Sequence, residues 1–290
     1  LQLARVFHKA GHDVYLVETH KYWLTGHRFS RAVKGFFTVP VPEQDSDGYC
    51  RALLNIVKDN NIDVFIPVSS PIASYYDSLA KKTLEPICES IHLEPEETAL
   101  LDDKYEFCSK AAAFGLSAPK VFRITVPQQI LDFDFERDGS RYIGNSIPYD
   151  SVFRLDLTRL PFSDMEDYIR SLPISKEKPW VMQEFIRGQE YCIHATARKG
   201  KIRLHCCSES SPFQINYEQV NNLAVYLWIE TFISKMGLTG QICFDMIQTE
   251  DGTVYPIECN PRLHSAITMF HDHPGVAKAY LSAGEANEAP

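Results

Sequence analysis

Residues 240–261 read GQICFDMIQTEDGTVYPIECNP, and no other stretch limits the fold so tightly. Asp251-Gly252 is a strong short-range signal for a tight hairpin turn. With that dipeptide at the centre of the turn, Asp245 falls directly opposite Glu258, Phe244 opposite Cys259 and Met246 opposite Ile257. Directly opposed residues place their Cβ atoms about 4.5–5.5 Å apart, and like charges set that way destabilise a sheet. Asn260, two residues beyond Glu258, points to the same face. The apolar face, which Ile242 joins, requires a core, whereas the other presents two carboxylates and an amide. A hard divalent cation would remove the repulsion, and oxygen donors of this kind suit Mg²⁺. The alternative is a solvated acidic hairpin.

Composition narrows the partners. With 290 residues the chain has room for one large domain or two to three small ones, and its 44% hydrophobic and 23% charged make-up is that of an ordinary globular protein. A formal charge of −9 argues against nucleic acid as a partner. No apolar run approaches the roughly 18 residues that cross a membrane, so no membrane partner is expected. The eight cysteines include no C-x-x-C pair, and Cys206-Cys207 are adjacent, which suggests neither a zinc site nor a disulfide framework. Free thiols behave as small hydrophobes, and a reducing cytoplasm is the simplest compartment. The sequence holds no G-x-x-x-x-G-K-[ST], G-x-G-x-x-G or H-E-x-x-H. Any nucleotide must therefore be held by side chains, metal and strand edges.

Along the chain, Leu3, Val6, Phe7 and Ala10 mark one helix face before Gly11. A strand at 13–17, a polar aromatic loop at 20–31, a helix at 48–59 and a strand at 62–67 follow the pattern of a parallel α/β sheet. Because residue 1 already lies in a helix, a strand is expected upstream of it, and the chain reads as N-terminally shortened. The loops at 19–21 and 69–71 follow strand ends, the edge at which open α/β sheets bind ligands. Ser69 and Ser70 are thus substrate candidates, with an ordinary loop as the alternative.

Near residue 100 the character changes. Asp103 with Glu106 resembles a capping box, and Phe107, Ala111 and Phe114 form the buried stripe of a helix that ends at Gly115. Lys104 then occupies the first turn, where the helix dipole disfavours a cation by a few tenths of a kcal/mol. A nearby anionic ligand would offset that cost; a surface lysine is the alternative. Residues 119–179 read as strand-like and loop-rich. Strands at 180–186, 190–198 and 201–207 read as a meander, a helix spans 220–231, and the acidic hairpin completes an α+β region.

These residues carry a resemblance. Asp245, Glu258-Cys259-Asn260-Pro261-Arg262, Lys104 upstream, and Gln183-Glu184-Phe185-Ile186-x-Gly188-x-Glu190 between them resemble the ATP-grasp superfamily over about residues 100–270. The resemblance implies an α/β domain (1–99) that precedes the ATP-grasp fold, then a lid subdomain (100–180) and a catalytic subdomain (181–290), with ATP clamped between the last two. It implies that Asp245, Glu258 and Asn260 hold Mg²⁺ against the phosphates of ATP and that Lys104 contacts phosphate oxygens. Glu184 and Ile186 would hydrogen-bond adenine through the backbone, Gln183 and Phe185 would line the same hinge, and Glu190 would take the ribose hydroxyls. Arg262 would stabilise the transferred phosphoryl group. The implied reaction is ADP-forming C–N ligation of an amino acid amine to a phosphate-activated small acceptor; a homodimer is left open.

One departure stands out. Where the family's lid carries a lysine, in a pattern like Y-I-L-K-S, this chain reads Tyr142-Ile143-Gly144-Asn145-Ser146. Asn145 donates a hydrogen bond but brings no charge, which favours a second reading, a nucleotide-binding homologue with weak or lost turnover. Arg154 on the same segment is a candidate substitute, with a surface arginine as the alternative.

A narrower resemblance rests on His20-Lys21-Tyr22-Trp23, residues 26–30 (GHRFS), Ser69-Ser70-Pro71, residues 208–213 (SESSPF) and residues 262–267 (RLHSAI). Together these are similar to the mycosporine-glycine synthase type of ATP-grasp ligase. That type implies a cyclohexenone acceptor and glycine, with His264 and Ser265 facing the acceptor; a loop-capping or core role is their alternative.

Overall fold

The computed structural model describes residues 1–68, 72–148, 150, 152–153, 156–210 and 217–281. Ser69, Ser70, Pro71, Arg154 and the last three residues of the SESSPF segment lie outside them. Burial of Leu3, Val6 and Phe7 makes one face of α1 (Gln2–Lys9), and Gly11, at φ +90°, turns the chain toward β1 (Tyr15–Thr19). The aromatic loop that follows holds two 3-10 turns, His20–Tyr22 and Gly26–Phe29, before β2 (Gly35–Val39) pairs in parallel with β1. Next come α2 (Ser46–Asn60), β3 (Val64–Phe65), α3 (Ser74–Leu84) and β4 (Glu89–Ser90), with β4 parallel to β3. The parallel sheet read from the sequence is thus present as two separate parallel pairs.

Helix α4 (Pro95–Asp102) opens with a capping box between Glu94 and Glu97, which is absent from the sequence reading because the cap is not Ser, Thr, Asp or Asn. Helix α5 (Lys104–Ala113) has only half of the box read there. Asp103 accepts from the Tyr105 and Glu106 N–H groups, but the Glu106 carboxylate turns to Arg123, 3.0 Å away.

From residue 121 the chain forms β5 (Val121–Ile124), α6 (Gln128–Leu131), α7 (Phe135–Asp138), β6 (Tyr142–Ser146), β7 (Arg159–Leu160), α8 (Met165–Ser171) and β8 (Trp180–Glu184). Short helices therefore occupy part of a segment that reads as strand-like and loop-rich. Ile130, Phe135 and Ile169 on those helices share a core with Tyr142 and Trp180. The four strands form an antiparallel sheet in the order β5-β8-β6-β7. Strand β8 belongs here, not to a 180–207 meander, so the border placed at 180/181 runs through this sheet.

The second sheet contains β9 (Gln189–Arg198), β10 (Lys201–Glu209), then, after α9 (Leu223–Met236), β11 (Gly240–Gln248) and β12 (Val254–Asn260), in the order β10-β9-β11-β12. A 3-10 turn, Ser265–Phe270, and α10 (Gly275–Leu281) close the described chain. One face of this sheet packs beneath α5 and α9, where the rings of Phe107, Trp228, Phe232 and Phe244 lie 5.3–6.3 Å apart. Burying Phe107 contributes about 1.5–3 kcal/mol. That packing fixes the helix whose first residue is Lys104.

Between β8 and β9 the chain crosses from one sheet to the other through Gly188. A Cβ there would lie 2.1 Å from the Gln248 carbonyl oxygen, a backbone atom that no rotamer change removes. Gly188→Ala is expected to cost about 1–3 kcal/mol by overpacking. Urea denaturation reads this directly, and wild-type stability in the variant would refute the close approach.

The acidic hairpin keeps its site register: Asp245 pairs with Glu258 and Phe244 with Cys259. Its turn is one residue longer than read. Gln248 pairs with Val254, the Thr249 N–H bonds to the Thr253 carbonyl at 2.9 Å, and Gly252 takes φ +87°. This is a three-residue loop closed by a left-handed glycine. A bulge at Ile257 absorbs the offset, so Met246 faces Pro256 instead, and Ile257 is only half-buried. Pro256, without an N–H, is accommodated because β12 is the outermost strand.

Candidate functional site

Three side chains stand in one row across the second sheet: Cys192 on β9 is opposite Asp245 on β11, which is opposite Glu258 on β12. Asn260 follows on the same face. Its Nδ2 donates to Asp245 Oδ2 at 3.4 Å and to Glu258 Oε1 at 3.3 Å, while Arg262 Nη2 donates to Asn260 Oδ1 at 3.1 Å. Lys104 Nζ forms an ion pair with Glu258 Oε2. Helices α4 and α5 pack against β12, which brings a lysine about 150 residues upstream to this strand. Lys104, Asp245, Glu258, Asn260 and Arg262 therefore form one connected cluster.

Charge is unevenly shared within it. Burial, reinforced by the facing Glu258 carboxylate, pushes Asp245 up to about 7. Burial acts on Glu258 in the same direction, but Lys104 outweighs it and holds that carboxyl below its usual value. Burial also opposes the Lys104 charge, yet Glu258, Asp102 and Asp245 keep its pKa above the ordinary lysine value. One lysine thus serves two opposed carboxylates, and the Asn260 amide turns its N–H groups to both of them and its oxygen to Arg262. Among the described residues no three His, Cys, Asp or Glu side chains converge as a metal cage. Two carboxylates, joined by the Asn260 amide once its oxygen turns from Arg262 toward them, instead fit a hard cation that takes its remaining oxygens from a substrate.

The raised Asp245 pKa has a stability consequence. A carboxyl raised on folding favours the folded state most below its unfolded pKa, and that contribution is lost as pH rises through about 7. In the metal-free protein, Asp245→Asn is therefore expected to stabilise more at pH 8 than at pH 5, on the order of 1–2 kcal/mol after solvent screening. Thermal melts in the presence of a chelator test this; identical pH dependence in both proteins would refute it.

The hinge residues lie between the two sheets. Gln183 is buried on β8 and donates to the Ile257 carbonyl at 3.0 Å, while its own amide oxygen has no hydrogen-bond partner among the described residues. The Glu184 carboxylate accepts from Lys120 N–H at 3.0 Å and Ser140 Oγ at 3.1 Å, and the Phe185 N–H bonds to the Arg141 carbonyl at 2.7 Å. The Arg159 guanidinium lies 4.1 Å from the centre of the Phe185 ring. Ile186 is half-buried, and exposed Glu190 lies opposite Ile247 on the face that carries Cys192 and Asp245. Asn145 is buried on β6 opposite Val181, on the sheet face shared by Gln183. Since Gln183 reaches β12, that face is turned to the hairpin, although no hydrogen bond among the described residues ties Asn145 to the cluster.

The outer candidates divide. His264 is buried, its Nδ1 accepts from the Ala266 N–H at 3.2 Å, and its ring packs edge-on against Tyr217 at 5.5 Å, which is the loop-capping role. Burial and Arg262 hold it below the usual histidine range. Ser265 Oγ meets the Tyr217 hydroxyl at 2.5 Å. Ser69 and Ser70 are not described, but Ser74, on the helix just after them, bonds to the Pro261 carbonyl at 2.6 Å, next to Arg262. Two members of the site were not found from the sequence. Cys192 Sγ lies 3.0 Å from Asp245 Oδ1, and its thiol is pushed up by burial and by that carboxylate; Asp102 adds to the field on Lys104. The alternation Glu190, Cys192, His194 puts Cys192 on the right face; what it does not reveal is that β9 neighbours β11.

No protein-family model matches the chain, and no curated protein matches it. Solved structures do. An L-amino acid ligase from Bacillus licheniformis matches with TM-score 0.67 and 15% identity, over 92% of this chain and 66% of its own. A biotin carboxylase from Campylobacter jejuni matches with TM-score 0.69 and 12% identity, over 98% and 69%. An N5-carboxyaminoimidazole synthetase from Staphylococcus aureus, complexed with ADP, matches with TM-score 0.65 and 12% identity, over 93% and 70%. The chain spans about two thirds of the length of these proteins. At such identities the likeness establishes architecture, and that architecture is an α/β N-terminal part followed by the ATP-grasp fold.

Proposed function

We propose that the chain is an ATP- and Mg²⁺-dependent, ADP-forming C–N ligase that joins an amino acid amine to a phosphate-activated small acceptor. The observation that carries this reading is the Lys104–Glu258–Asp245–Asn260–Arg262 cluster on a fold shared with known ligases. Asp245, Glu258 and Asn260 would hold Mg²⁺, which when bound supplies charge neutralisation across the phosphates of ATP. Lys104 would then turn from Glu258 to phosphate oxygens, favoured by the surplus negative charge they bring. Backbone groups of Glu184 and Ile186 would take adenine, with Gln183 and Phe185 lining the pocket and the Glu190 carboxylate on the ribose hydroxyls. Arg262, held by Asn260, would face the charge that develops on the transferred phosphoryl group. An acceptor oxygen attacks the γ-phosphorus and ADP leaves; the amine nitrogen then displaces phosphate and forms the C–N bond. The products are the conjugate, ADP and phosphate.

At finer grain, the acceptor oxygen we favour is the enol of a cyclohexenone, with glycine as the amine, as in the mycosporine-glycine synthase type. Ser69, Ser70, His264 and Ser265 would lie on the acceptor side, and the cytoplasm is the compartment we favour. ADP release across a panel of amino acids with a cyclohexenone acceptor tests the reading: release that depends on both co-substrates supports it. ATP binding without acceptor-dependent ADP would instead leave the nucleotide-binding homologue that Asn145 favours. In the same assay Asn145→Lys adds one charge-assisted contact of about 1.5–3 kcal/mol. It is expected to raise turnover or ATP affinity tenfold or more, and no change would count against placing Asn145 at the nucleotide.

A further inference from the structure

The two oxygens of Asp245 are held from opposite sides. Oδ2 is approached by the Asn260 amide at 3.4 Å, on the side of Glu258, whereas Oδ1 lies 3.0 Å from Cys192 Sγ. Cys192 is directly opposite Asp245 in the ladder, so the strand register itself sets this contact. The thiol is 3% exposed and has no thiol partner, since the described cysteines are all free. Ser210 Oγ lies 3.8 Å from Sγ. A thiol has a single proton, and the shorter contact, to a carboxylate, is the stronger acceptor for it. The other side chains of β9 on this face are differently placed: Glu190 is opposite Ile247 and His194 opposite Cys243.

We propose that Cys192 is a positioning residue for the cation site: its S–H pins Asp245 Oδ1 and leaves Oδ2 directed toward Glu258 to receive the ion. A thiol suits the position because it is apolar enough to be buried in a sheet yet supplies the one donor Oδ1 requires. A carboxylate in its place would add a third negative charge to the row. The role is to orient a ligand from behind, an arrangement whose loss typically costs 10–100-fold in metal affinity. The inference rests on the cation-binding reading proposed above.

The test separates the two. Mn²⁺ is titrated in the presence of ADP and followed by electron paramagnetic resonance in the full chain, in Cys192→Thr, Cys192→Val and Asp245→Asn. Threonine and valine have the same shape and both suit a strand, so the pair isolates the donor from packing. Metal-free melting of each variant gives a readout of packing alone. The expected result is Cys192→Thr within about threefold of wild type and Cys192→Val weaker by about tenfold, with equal melting of the two variants. Equal Mn²⁺ affinity for Cys192→Thr and Cys192→Val, with Asp245→Asn unable to bind, overturns the positioning role and leaves the cation site standing. Wild-type affinity in Asp245→Asn overturns the cation site itself.

Discussion

Glu258→Gln is expected to weaken Mg-ATP binding about tenfold to a hundredfold, because the substitution removes one of the two charged oxygen donors offered to the cation. That carboxylate faces Asp245 across the ladder, and in the free protein it also pairs with Lys104. A charge-assisted contact contributes about 1.5–3 kcal/mol, and the pair with Lys104 adds nothing to the loss because that lysine would turn to the phosphates. Glutamine keeps the size and one acceptor, so packing against Asn260 survives and the effect reports charge. Calorimetric titration with Mg-ATP reads the change. Unaltered affinity would mean that nucleotide and cation bind elsewhere, and the acidic hairpin would revert to a solvated surface feature.

Arg262→Ala should separate catalysis from binding. Removing one preorganised group that meets developing charge typically lowers turnover about 100–1000-fold. Arg262 is tied to the Asn260 side-chain amide by one 3.1 Å hydrogen bond and to the Asn260 backbone carbonyl by its own N–H at 2.8 Å. The backbone contact survives the substitution, so the strand end and its ligands stay in place. Steady-state ADP release is therefore expected to collapse while Mg-ATP affinity changes less than tenfold. Equal losses in both would show that Arg262 binds ground-state nucleotide instead.

How far the sequence was legible depends on distance along the chain. The Asp245–Glu258 pairing follows from side-chain alternation and a turn dipeptide, and it survives because the longer loop and the Ile257 bulge cancel before the site is reached. Helix α5 was readable from Phe107 and Ala111, whose spacing matches the face that the core buries. Strand β8 was visible as a strand, but an apolar strand carries no mark of its partner, and it pairs with β5 and β6. Helices α6 and α7 have four residues each, too short for periodicity to distinguish them from strand or loop. Cys192 was missed for a related reason. Its importance comes from a neighbour more than 50 residues away, and only the strand order β9-β11-β12 reveals it.

The outermost strand also bears on solubility. An exposed sheet edge offers a row of unpaired backbone groups on which another chain can add, a recurrent route to aggregation. Here strand β12, which carries Glu258 and Asn260, lies at that edge, yet Pro256 removes one donor, the bulge at Ile257 breaks the row, and Gln183 occupies the freed carbonyl at 3.0 Å. The irregularities that return the carboxylates to register thus also make the edge a poor template for self-association.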